Sequence, residues 1–398
     1  MRKLSQILLL TLIAFAFYAC PKHWTEAIKN GEIEQKEFNT SIEFEIKNDL
    51  IIVPVQIENN TYHFLLDTGA PFSISKELQS NFNFKTVSQG TLRDSDNSQI
   101  SVDYVSIPKI KLNEVTFLKQ VAFVGDFNKN PIIKCLGIDG IIGSNMMRFC
   151  NWKIDSKNKK IQISNEEFKL NNHDSIKMKF KPNRQYSIKI NTHLGKSRIT
   201  NLTLDYGSNG GLTVPQKIYD TLKNRTIIKE SLLEYGVASS GLGGKLKNIN
   251  RKFSRVDSLA LGNVISNNVR IKTGKSGLLG TEVLSKHIVA INWSSQSLAF
   301  EKYPYEIEQP FKTFGLKIGI KNNSYFVSAI VKNSPAEKAG IEPNMEVLNF
   351  NHIDFSNASY CDYISYLDTN KVEKLQLVLK DKSGVNQEFT LEKAIMLQ

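Results

Sequence analysis

Several common chemistries have no residues to support them in this sequence. The six histidines form no His-Glu-x-x-His pair and no other metal-ligand spacing. No Gly-x-Ser-x-Gly segment occurs, which argues against a serine nucleophile on a strand-to-helix turn. The Gly-Lys-Ser segment at 274–276 lacks the glycine that a phosphate-binding loop needs at 269, where Val269 stands. We therefore expect no metal and no other cofactor.

Cysteine is also scarce. The chain has only Cys20, Cys135, Cys150 and Cys361 among its 398 residues, too few for a disulfide scaffold. Two arrangements stay open for the later cysteines. They are buried free thiols, or Cys135 and Cys150 form a bond in an oxidising compartment.

Long apolar runs are missing beyond the N-terminus. Residues 7–19 are apolar apart from one threonine, and 13 residues are too few for a helix that spans a bilayer. Two basic residues precede the run, so residues 1–19 are predicted to be an export signal. Cys20 would then be lipidated, and cleavage after Ala16 is the alternative. We expect a periplasmic or membrane-anchored lipoprotein in the envelope of a Gram-negative bacterium.

Composition is otherwise ordinary for a globular protein, with 41% hydrophobic and 23% charged residues. That balance excludes a disordered or collagen-like chain. The net charge of +12 comes from lysines scattered along the sequence, which does not favour a nucleic-acid partner. The length predicts two or three domains.

Residues 39 to about 303 have the pattern of a β-rich region. Short apolar runs, such as 50–57, 61–66 and 102–107, are separated by Asn, Gly and Asp. No long helical period occurs there. The polar residues 20–38 before this region are predicted to be a tether.

An internal repeat organises the β-rich region. Residues 63–70 (His-Phe-Leu-Leu-Asp-Thr-Gly-Ala) match 201–208 (Asn-Leu-Thr-Leu-Asp-Tyr-Gly-Ser), with the aspartates 138 positions apart. Gly-Ile-Ile-Gly-Ser at 140–144 matches Gly-Leu-Leu-Gly-Thr at 277–281, with Gly143 and Gly280 137 positions apart. A nearly constant offset in one order predicts two similar lobes, 39–165 and 166–306.

Each repeat carries an aspartate directly after an apolar strand, and the glycine that follows permits a tight turn. If the two copies pack symmetrically, Asp67 and Asp205 lie close together. Two neighbouring carboxyl groups share one proton, and such a pair can activate a water and protonate a leaving amine. This chemistry hydrolyses a peptide bond without a metal or a covalent intermediate.

Residues 65–74 (Leu-Leu-Asp-Thr-Gly-Ala-Pro-Phe-Ser-Ile), read with Ile-Ile-Gly at 141–143, resemble the aspartic proteases of the retropepsin and pepsin type. The resemblance implies a mainly β fold with two retropepsin-like lobes related by a pseudo-twofold axis, in a single chain that needs no dimer. It implies a catalytic dyad of Asp67 and Asp205, and flaps over the substrate near 94–98 and 241–244. The active-site loops that it implies contain Thr68, Gly69, Gly207 and Ser208.

The second loop departs from that family. Tyr206 stands where the family has Thr or Ser, whose hydroxyl locks the opposite loop. Thr68 can form this bond from the first side, while Tyr206 either loosens the dyad or points into the lobe core. An aspartic endopeptidase is therefore one interpretation, and a catalytically inactive peptide-binding envelope scaffold is the other. We also expect Ser208 to donate to Asp205, which would leave the shared proton more often on Asp67.

A different unit begins near residue 311. Ser334 and Pro335 predict a helix start, and Gly340 predicts its end. Residues 314–320 (Phe-Gly-Leu-Lys-Ile-Gly-Ile) and 334–341 (Ser-Pro-Ala-Glu-Lys-Ala-Gly-Ile) resemble a bacterial PDZ domain, which would cover 311–398.

That second resemblance implies a peptide partner. The backbone of Phe314, Gly315 and Leu316 would bind a terminal carboxylate, and the peptide would add as a strand beside 317–320, facing a helix at 358–367. Two alternatives stay open. The unit only packs on the lobes, or peptide binding here is the main activity of a cell-surface assembly protein.

Overall fold

The structure is a computed structural model that describes residues 23–93, 99–170, 177–238, 244–304, 310–322, 324–351, 353–355, 361 and 372–397. Several predicted features lie outside this part of the chain. They are the export signal, Cys20, the first flap tip at 94–98, residues 241–243 of the second tip, and the helix at 358–367 apart from Cys361.

The first repeat and the residues before it form strands almost throughout. The strands are β1 (Glu32–Ile33), β2 (Asn39–Glu43), β3 (Glu45–Lys47), β4 (Leu50–Ile57), β5 (Asn60–Asp67), β6 (Ser73–Ser75), β7 (Lys85–Arg93), β8 (Gln99–Leu112), β9 (Val115–Gly125), β10 (Gly140–Gly143), β11 (Asn151–Asp155) and β12 (Lys160–Ser164).

The second repeat continues the pattern. Its strands are β13 (Met178–Lys179), β14 (Lys181–Pro182), β15 (Ile188–Leu194), β16 (Ser197–Leu204), β17 (Leu212–Pro215), β18 (Leu232–Ala238), β19 (Lys247–Leu261), β20 (Val264–Gly274), β21 (Leu278–Leu279), β22 (His287–Asn292) and β23 (Ser297–Lys302). The C-terminal unit contains β24 (Phe311–Thr313), β25 (Leu316–Lys321), β26 (Ser324–Val331), β27 (Glu346–Phe350), β28 (Ile353–Asp354), β29 (Lys374–Lys380), β30 (Asn386–Glu392) and β31 (Ala394–Leu397).

Helices are short and lie between strands. They are α1 (Trp24–Ala27), α2 (Lys76–Phe82), α3 (Pro131–Leu136), α4 (Ser144–Met147), α5 (Gln216–Asn224), α6 (Thr281–Leu284) and α7 (Pro335–Lys338), with a 3-10 turn at Phe127–Lys129. Over the residues that the structure describes, none of the helices has the length and apolar character needed to cross a bilayer. The chain is mainly β, as the sequence predicts.

The two repeats share one strand connectivity. In the first, β10 runs parallel to β5 and antiparallel to β6. In the second, β21 runs parallel to β16 and antiparallel to β17. A short helix follows each of β10 and β21. Each repeat also has a long hairpin, β8–β9 or β19–β20, whose second strand pairs with β6 or β17.

A six-stranded sheet joins the repeats, in the order β13-β23-β22-β11-β12-β2. Its central pair is β11 with β22, in which Trp152 lies opposite Ile291. Trp152 and Trp293 both belong to the main hydrophobic core. Burial of this apolar sheet face holds the two repeats together.

The C-terminal unit has its own core and is joined to the second repeat by strand pairing. Phe314, Ile330 and Leu377 belong to this core. Strand β26 pairs with β25 on one side and, near its end, with β18 of the second repeat. Helix α7 begins as the sequence predicts, because the Ser334 hydroxyl accepts from the Glu337 N–H at 3.3 Å.

The cysteine pairing differs from both predicted arrangements. Cys135, at the end of α3, forms a disulfide with Cys361 of the C-terminal unit, 226 positions later. Cys150 is free and buried, and burial raises the pKa of its thiol. The alternative of a Cys135–Cys150 bond is therefore wrong, and the alternative of buried free thiols is correct for Cys150 alone.

Residues 23–38, predicted to belong to a tether, lie against the first repeat in the described part. Ala27 and Ile28 of this segment are buried with Tyr104. Strand β1 extends the first sheet by pairing with β9. Burial of these apolar side chains docks the otherwise polar segment on the first repeat.

Candidate active site

Asp67 is the last residue of β5, a strand held firmly in the core. Phe64 and Leu66 of this strand are fully buried. Its parallel neighbour β10 places Gly143 directly opposite Asp67. A methyl group on Gly143 would lie 2.1 Å from the Phe72 nitrogen, so only glycine lets β10 pass this close behind the loop. Asp67 is thereby fixed at the end of a rigid element.

Asp205 has the same support in the second repeat. Strand β16 ends one residue before it, and its backbone N–H donates to the Leu279 carbonyl of β21 at 2.9 Å. A methyl group on Gly280 would lie 2.3 Å from the Gly210 oxygen. Glycines 143 and 280, the repeat landmarks found in the sequence, thus have the same steric role in both halves.

The two aspartates face each other across the junction of the repeats. A methyl group on Gly207 would lie 2.2 Å from Asp67 Oδ2, and one on Gly69 would lie 2.9 Å from Asp205 Cγ. Each carboxyl group therefore lies over the glycine of the opposite loop, and the two carboxyl groups are within hydrogen-bonding reach of each other. Both side chains keep partial exposure, so a small molecule can approach them.

The two carboxyl groups receive unequal numbers of backbone hydrogen bonds. Asp67 Oδ1 accepts from the N–H of Gly69 at 2.8 Å and of Ala70 at 3.0 Å. Asp205 Oδ1 accepts from the N–H of Gly207 at 3.0 Å. The Ser208 hydroxyl donates no hydrogen bond to Asp205 among these contacts. The expected bond from Ser208 is therefore absent.

This asymmetry decides where the shared proton lies. Burial raises the pKa of both carboxyl groups, and the pKa of Asp205 is raised well above its usual range by burial and by neighbouring Asp67. The two N–H donors on Asp67 favour its ionised form. The donors present therefore favour protonated Asp205 beside ionised Asp67, whereas the expected proton on Asp67 depended on a Ser208 donor that is not seen among the described contacts.

Thr68 links the two loops from the first side, as expected. It is fully buried, and its hydroxyl donates to the Leu204 carbonyl at 2.6 Å while accepting from the Tyr206 N–H at 3.1 Å. Tyr206 is also fully buried and belongs to the main core. Its hydroxyl has no hydrogen-bond partner among the described residues. Tyr206 therefore points into the core, and the lock acts from one side only.

Sequence reasoning missed three residues that support the first loop. The Ser144 hydroxyl donates to the Thr68 carbonyl at 2.5 Å, and the Asn145 carboxamide oxygen accepts from the Phe72 N–H at 2.5 Å. The Ser187 hydroxyl, from the second repeat, donates to the Gly69 carbonyl at 3.0 Å. Ser144 could have been predicted from the sequence, because it directly follows the repeated glycine Gly143. Ser187 belongs to no repeated segment, so the sequence does not indicate its role.

A lysine near Asp205 was also missed. Lys189 of β15 lies opposite Thr203 and donates to its hydroxyl at 2.5 Å. Its positive charge lowers the pKa of Asp205, but burial raises that pKa by more. Lys189 shows no motif in the sequence, because its role depends on the strand pairing.

Two long hairpins leave the repeats in equivalent positions, β7–β8 and β18–β19. Their predicted flap tips lie outside the described residues, except for Gly244. This glycine has a φ of +64°, and a methyl group on it would lie 2.3 Å from the Lys129 oxygen of the first repeat. The base of the second tip therefore contacts the opposite half of the chain.

The three residues of the C-terminal unit that are predicted to bind a carboxylate are Phe314, Gly315 and Leu316, and all three are packed against their neighbours. Phe314 and Leu316 are buried. Gly315 has a φ of +82° and packs against Ser334, and its N–H donates to the Thr313 hydroxyl at 3.0 Å. Strand β25 pairs only with β26 within the described residues, so its other edge has no strand partner in that part of the chain.

Within the described part of the chain, no group of three or more His, Cys, Asp or Glu side chains is arranged to hold a metal ion. The centre itself presents the two facing carboxyl groups of Asp67 and Asp205.

Comparison with known proteins finds a family match for one part of the chain. Residues 53–146 match the sequence model of an aspartyl protease family. The match contains Asp67, its loop and Gly143, so it includes the steric arrangement described above. No curated protein matches the chain.

Proposed function

We propose that this chain is an aspartic endopeptidase whose catalytic dyad is Asp67 and Asp205. The supporting observation is the pair of crossed carboxyl groups, each lying over the glycine of the opposite loop. The two halves that supply them would be the lobes of residues 39–165 and 166–306. The aspartyl protease match over residues 53–146 supports the first half of this proposal.

The geometry gives each aspartate a role. A water held between the carboxyl groups would lose a proton to ionised Asp67 as its oxygen attacks the peptide carbonyl carbon. Protonated Asp205 would donate its hydrogen bond to the carbonyl oxygen and stabilise the charge that develops there. The resulting tetrahedral intermediate would collapse when the amide nitrogen takes a proton from the dyad and the C–N bond breaks.

The test is cleavage of a diverse peptide library by residues 21–398 and by the variants Asp67→Asn and Asp205→Asn. We expect cuts by the wild-type chain that are lost in both variants. Exposed Lys217 of α5 supplies a control, Lys217→Met, which should cut normally. Cuts that persist in either aspartate variant would contradict the proposal.

One observation favours a second function, a peptide-binding scaffold without catalysis. The lock between the loops comes from Thr68 alone, because Tyr206 is turned into the core. A folded wild-type chain that binds library peptides but cuts none between pH 3 and pH 8 would support the scaffold.

We further propose that residues 311–398 form a PDZ-like unit that recruits substrate peptides along β25. Within the described residues one edge of β25 has no strand partner, which supports this role, since an added strand needs such an edge. Deletion would disturb the paired strands β18 and β26, so a point variant is preferable. Lys317→Pro on β25 should weaken binding of a C-terminal peptide, with Lys321→Pro near the strand end as comparison.

The location of the chain is a separate proposal. We infer export to the envelope of a Gram-negative bacterium and lipid attachment at Cys20. Metabolic labelling with a fatty acid should mark the wild-type chain and not Cys20→Ala. Equal labelling of both would contradict lipidation, and an unlabelled chain that begins at Phe17 would favour cleavage after Ala16.

A further inference from the structure

A half-buried lysine lies beside the loop that carries Asp205. Lys272 is on β20, opposite Thr213 of β17. A methyl group on Gly210, five residues after Asp205, would lie 3.1 Å from Lys272 Nζ. The lysine ammonium therefore lies directly against the backbone of the second active-site loop.

Lys272 has no carboxylate partner within the residues that the structure describes. The two acidic side chains of its neighbourhood are already paired. Buried Glu234 pairs with Lys317 and with Arg251, the latter at 3.9 Å. Glu282 pairs with Arg270 at 2.6 Å. Together with Lys272, these three cations outnumber the two carboxylates, four to two. The surroundings of Lys272 therefore carry an excess of positive charge.

The lysine stays charged in this setting. Burial is the largest influence and lowers its pKa to about 8, with further lowering by the charges of Lys317 and Arg251 and opposition from Glu234 and Glu282. At neutral pH most molecules therefore carry a half-buried ammonium without an ion-pair partner. Such a group is costly until an anion reaches it.

There is room for an anion to approach. Asn209 is exposed, and Ser208 and Gly210 are partly exposed. Glycine at 210 keeps the space in front of the ammonium open, because any side chain there would meet Nζ. Glu234 and Arg251 lie opposite each other on hairpin β18–β19, and both charges act on Lys272.

We propose that Lys272 is a specificity-determining residue that binds a carboxylate of the substrate peptide on the Asp205 side of the site. The carboxylate belongs either to an Asp or Glu side chain near the scissile bond or to the free C-terminus of a short peptide. This inference rests on the proposed function, because it assigns a substrate class to the same site.

The experiment begins with one peptide that the wild-type chain cuts. Each position within four residues of the cut is replaced by Glu and, in a matched peptide, by Gln. A further pair ends in a free carboxylate or an amide shortly after the cut. The kcat/KM ratio within each pair is measured for the wild-type chain, Lys272→Met, Lys272→Arg and the control Lys217→Met.

We expect one pair to favour the carboxylate by about tenfold in the wild-type chain and in Lys217→Met. The ratio should fall to about 1 in Lys272→Met, through KM rather than kcat, and Lys272→Arg should retain part of it. The internal Glu series and the C-terminal pair distinguish the two sources of the carboxylate. A purely structural role for Lys272 would lower all rates together and leave every ratio unchanged.

Ratios near 1 at every position in a wild-type chain that cuts peptides would overturn this inference and leave the proposed function intact. If no peptide is cut, the same pairs are compared by fluorescence anisotropy binding. A carboxylate preference that disappears in Lys272→Met would then support the site on a peptide-binding scaffold. Equal binding of both members of each pair would overturn it.

Discussion

Tyr206 makes the two active-site loops unequal. Its side chain fills space in the core, and its backbone N–H, rather than its hydroxyl, takes part in the lock by donating to Thr68. In this chain the buried Thr68 hydroxyl supplies both cross-loop hydrogen bonds, to Leu204 and from Tyr206. Thr68 should therefore be unusually sensitive to substitution.

Thr68→Val keeps the side-chain shape and removes both of these bonds. The buried Leu204 carbonyl and Tyr206 N–H then lose their partner, and we expect a loss of about 2–4 kcal/mol in the free energy of unfolding. The change should also lower kcat, since the aspartates lose their fixed separation. Urea unfolding and peptide cleavage measure the two effects. Thr68→Ser, which keeps the hydroxyl, should lose much less, and equal losses in both variants would refute this role.

The unequal hydrogen bonding of the dyad gives a stability prediction. The pKa of Asp205 is raised in the folded chain, so folding is favoured when this group is protonated and disfavoured as the pH rises towards its folded pKa. Asp205→Asn removes the ionisation, and we expect its Tm at pH 7 to exceed that of the wild type by about 2–4 °C.

The gain should shrink as the pH falls towards about 4 and below, past the ordinary pKa of an aspartate, because wild-type Asp205 then becomes protonated in the unfolded chain as well. Thermal unfolding followed by circular dichroism between pH 4 and pH 8 provides the measurement. Ser208→Ala serves as the matched loop control and should follow the wild type. A stability difference that grows at low pH would contradict the assignment.

For single residues, the sequence predicted which side chains meet at the junction better than it predicted which aspartate carries the proton. Asp67, Asp205 and Thr68 follow from the repeated motif, because the apolar strand, the aspartate and the glycine act locally. The protonation of the pair depends on how many N–H groups reach each carboxylate. The Ala70 N–H points at Asp67 in one loop, and no pattern of residue types encodes such a difference.

Among the elements, the pairing of β18 with β26 is the least predictable from the sequence. Alternation of apolar residues predicts a strand and its buried face, but it does not specify which edge will meet which partner. Here Gly236 lies opposite Ala329, the Tyr235 hydroxyl donates to Glu337 at 2.9 Å, and Lys317 pairs with Glu234. By contrast, the glycine landmarks and the capped helix α7 were predictable, because their signals are local.

Gly236→Ala tests this pairing. The glycine has a φ of +140°, and an added methyl group would lie 2.2 Å from the Ser328 oxygen on β26. We expect hydrogen exchange at 234–236 and 329–331 to become at least about tenfold faster, because the strands must separate to relieve the clash.

Gly384→Ala is the matched control for this experiment. Its φ of +86° imposes similar backbone strain, yet nothing lies within 4 Å of an added methyl group. It should leave exchange at the junction unchanged. If Gly236→Ala also left the junction protected, the hairpin and the C-terminal unit would not be coupled as described.

The whole molecule holds its C-terminal unit at two places. Pairing of β18 with β26 joins the unit to the second repeat, and the Cys135–Cys361 disulfide joins it to the first. The sequence could not predict this bond, since three later cysteines give no pairing rule and 226 residues separate the partners. The unit thus bridges both halves, whose junction holds the facing Asp67 and Asp205 carboxyl groups.

Replacing both bonded cysteines by serine should destabilise the oxidised chain by about 2–5 kcal/mol, because the bond closes a long loop in the unfolded state. Unfolding midpoints with and without dithiothreitol measure the effect. The wild-type midpoint should fall on reduction, and the double variant should not respond to the reductant. A peptide map that links Cys150 to either partner would contradict the pairing.

The central claim is that Asp67 and Asp205 act as one catalytic unit. The most direct measurement is kcat/KM on the best-cut peptide for Asp67→Asn, Asp205→Asn and the double variant. Residues that act together are strongly non-additive, so we expect each single change to lower kcat/KM at least about 1000-fold and the double change to add little. Either single variant retaining near wild-type activity, or independent losses that multiply in the double variant, would contradict a shared dyad.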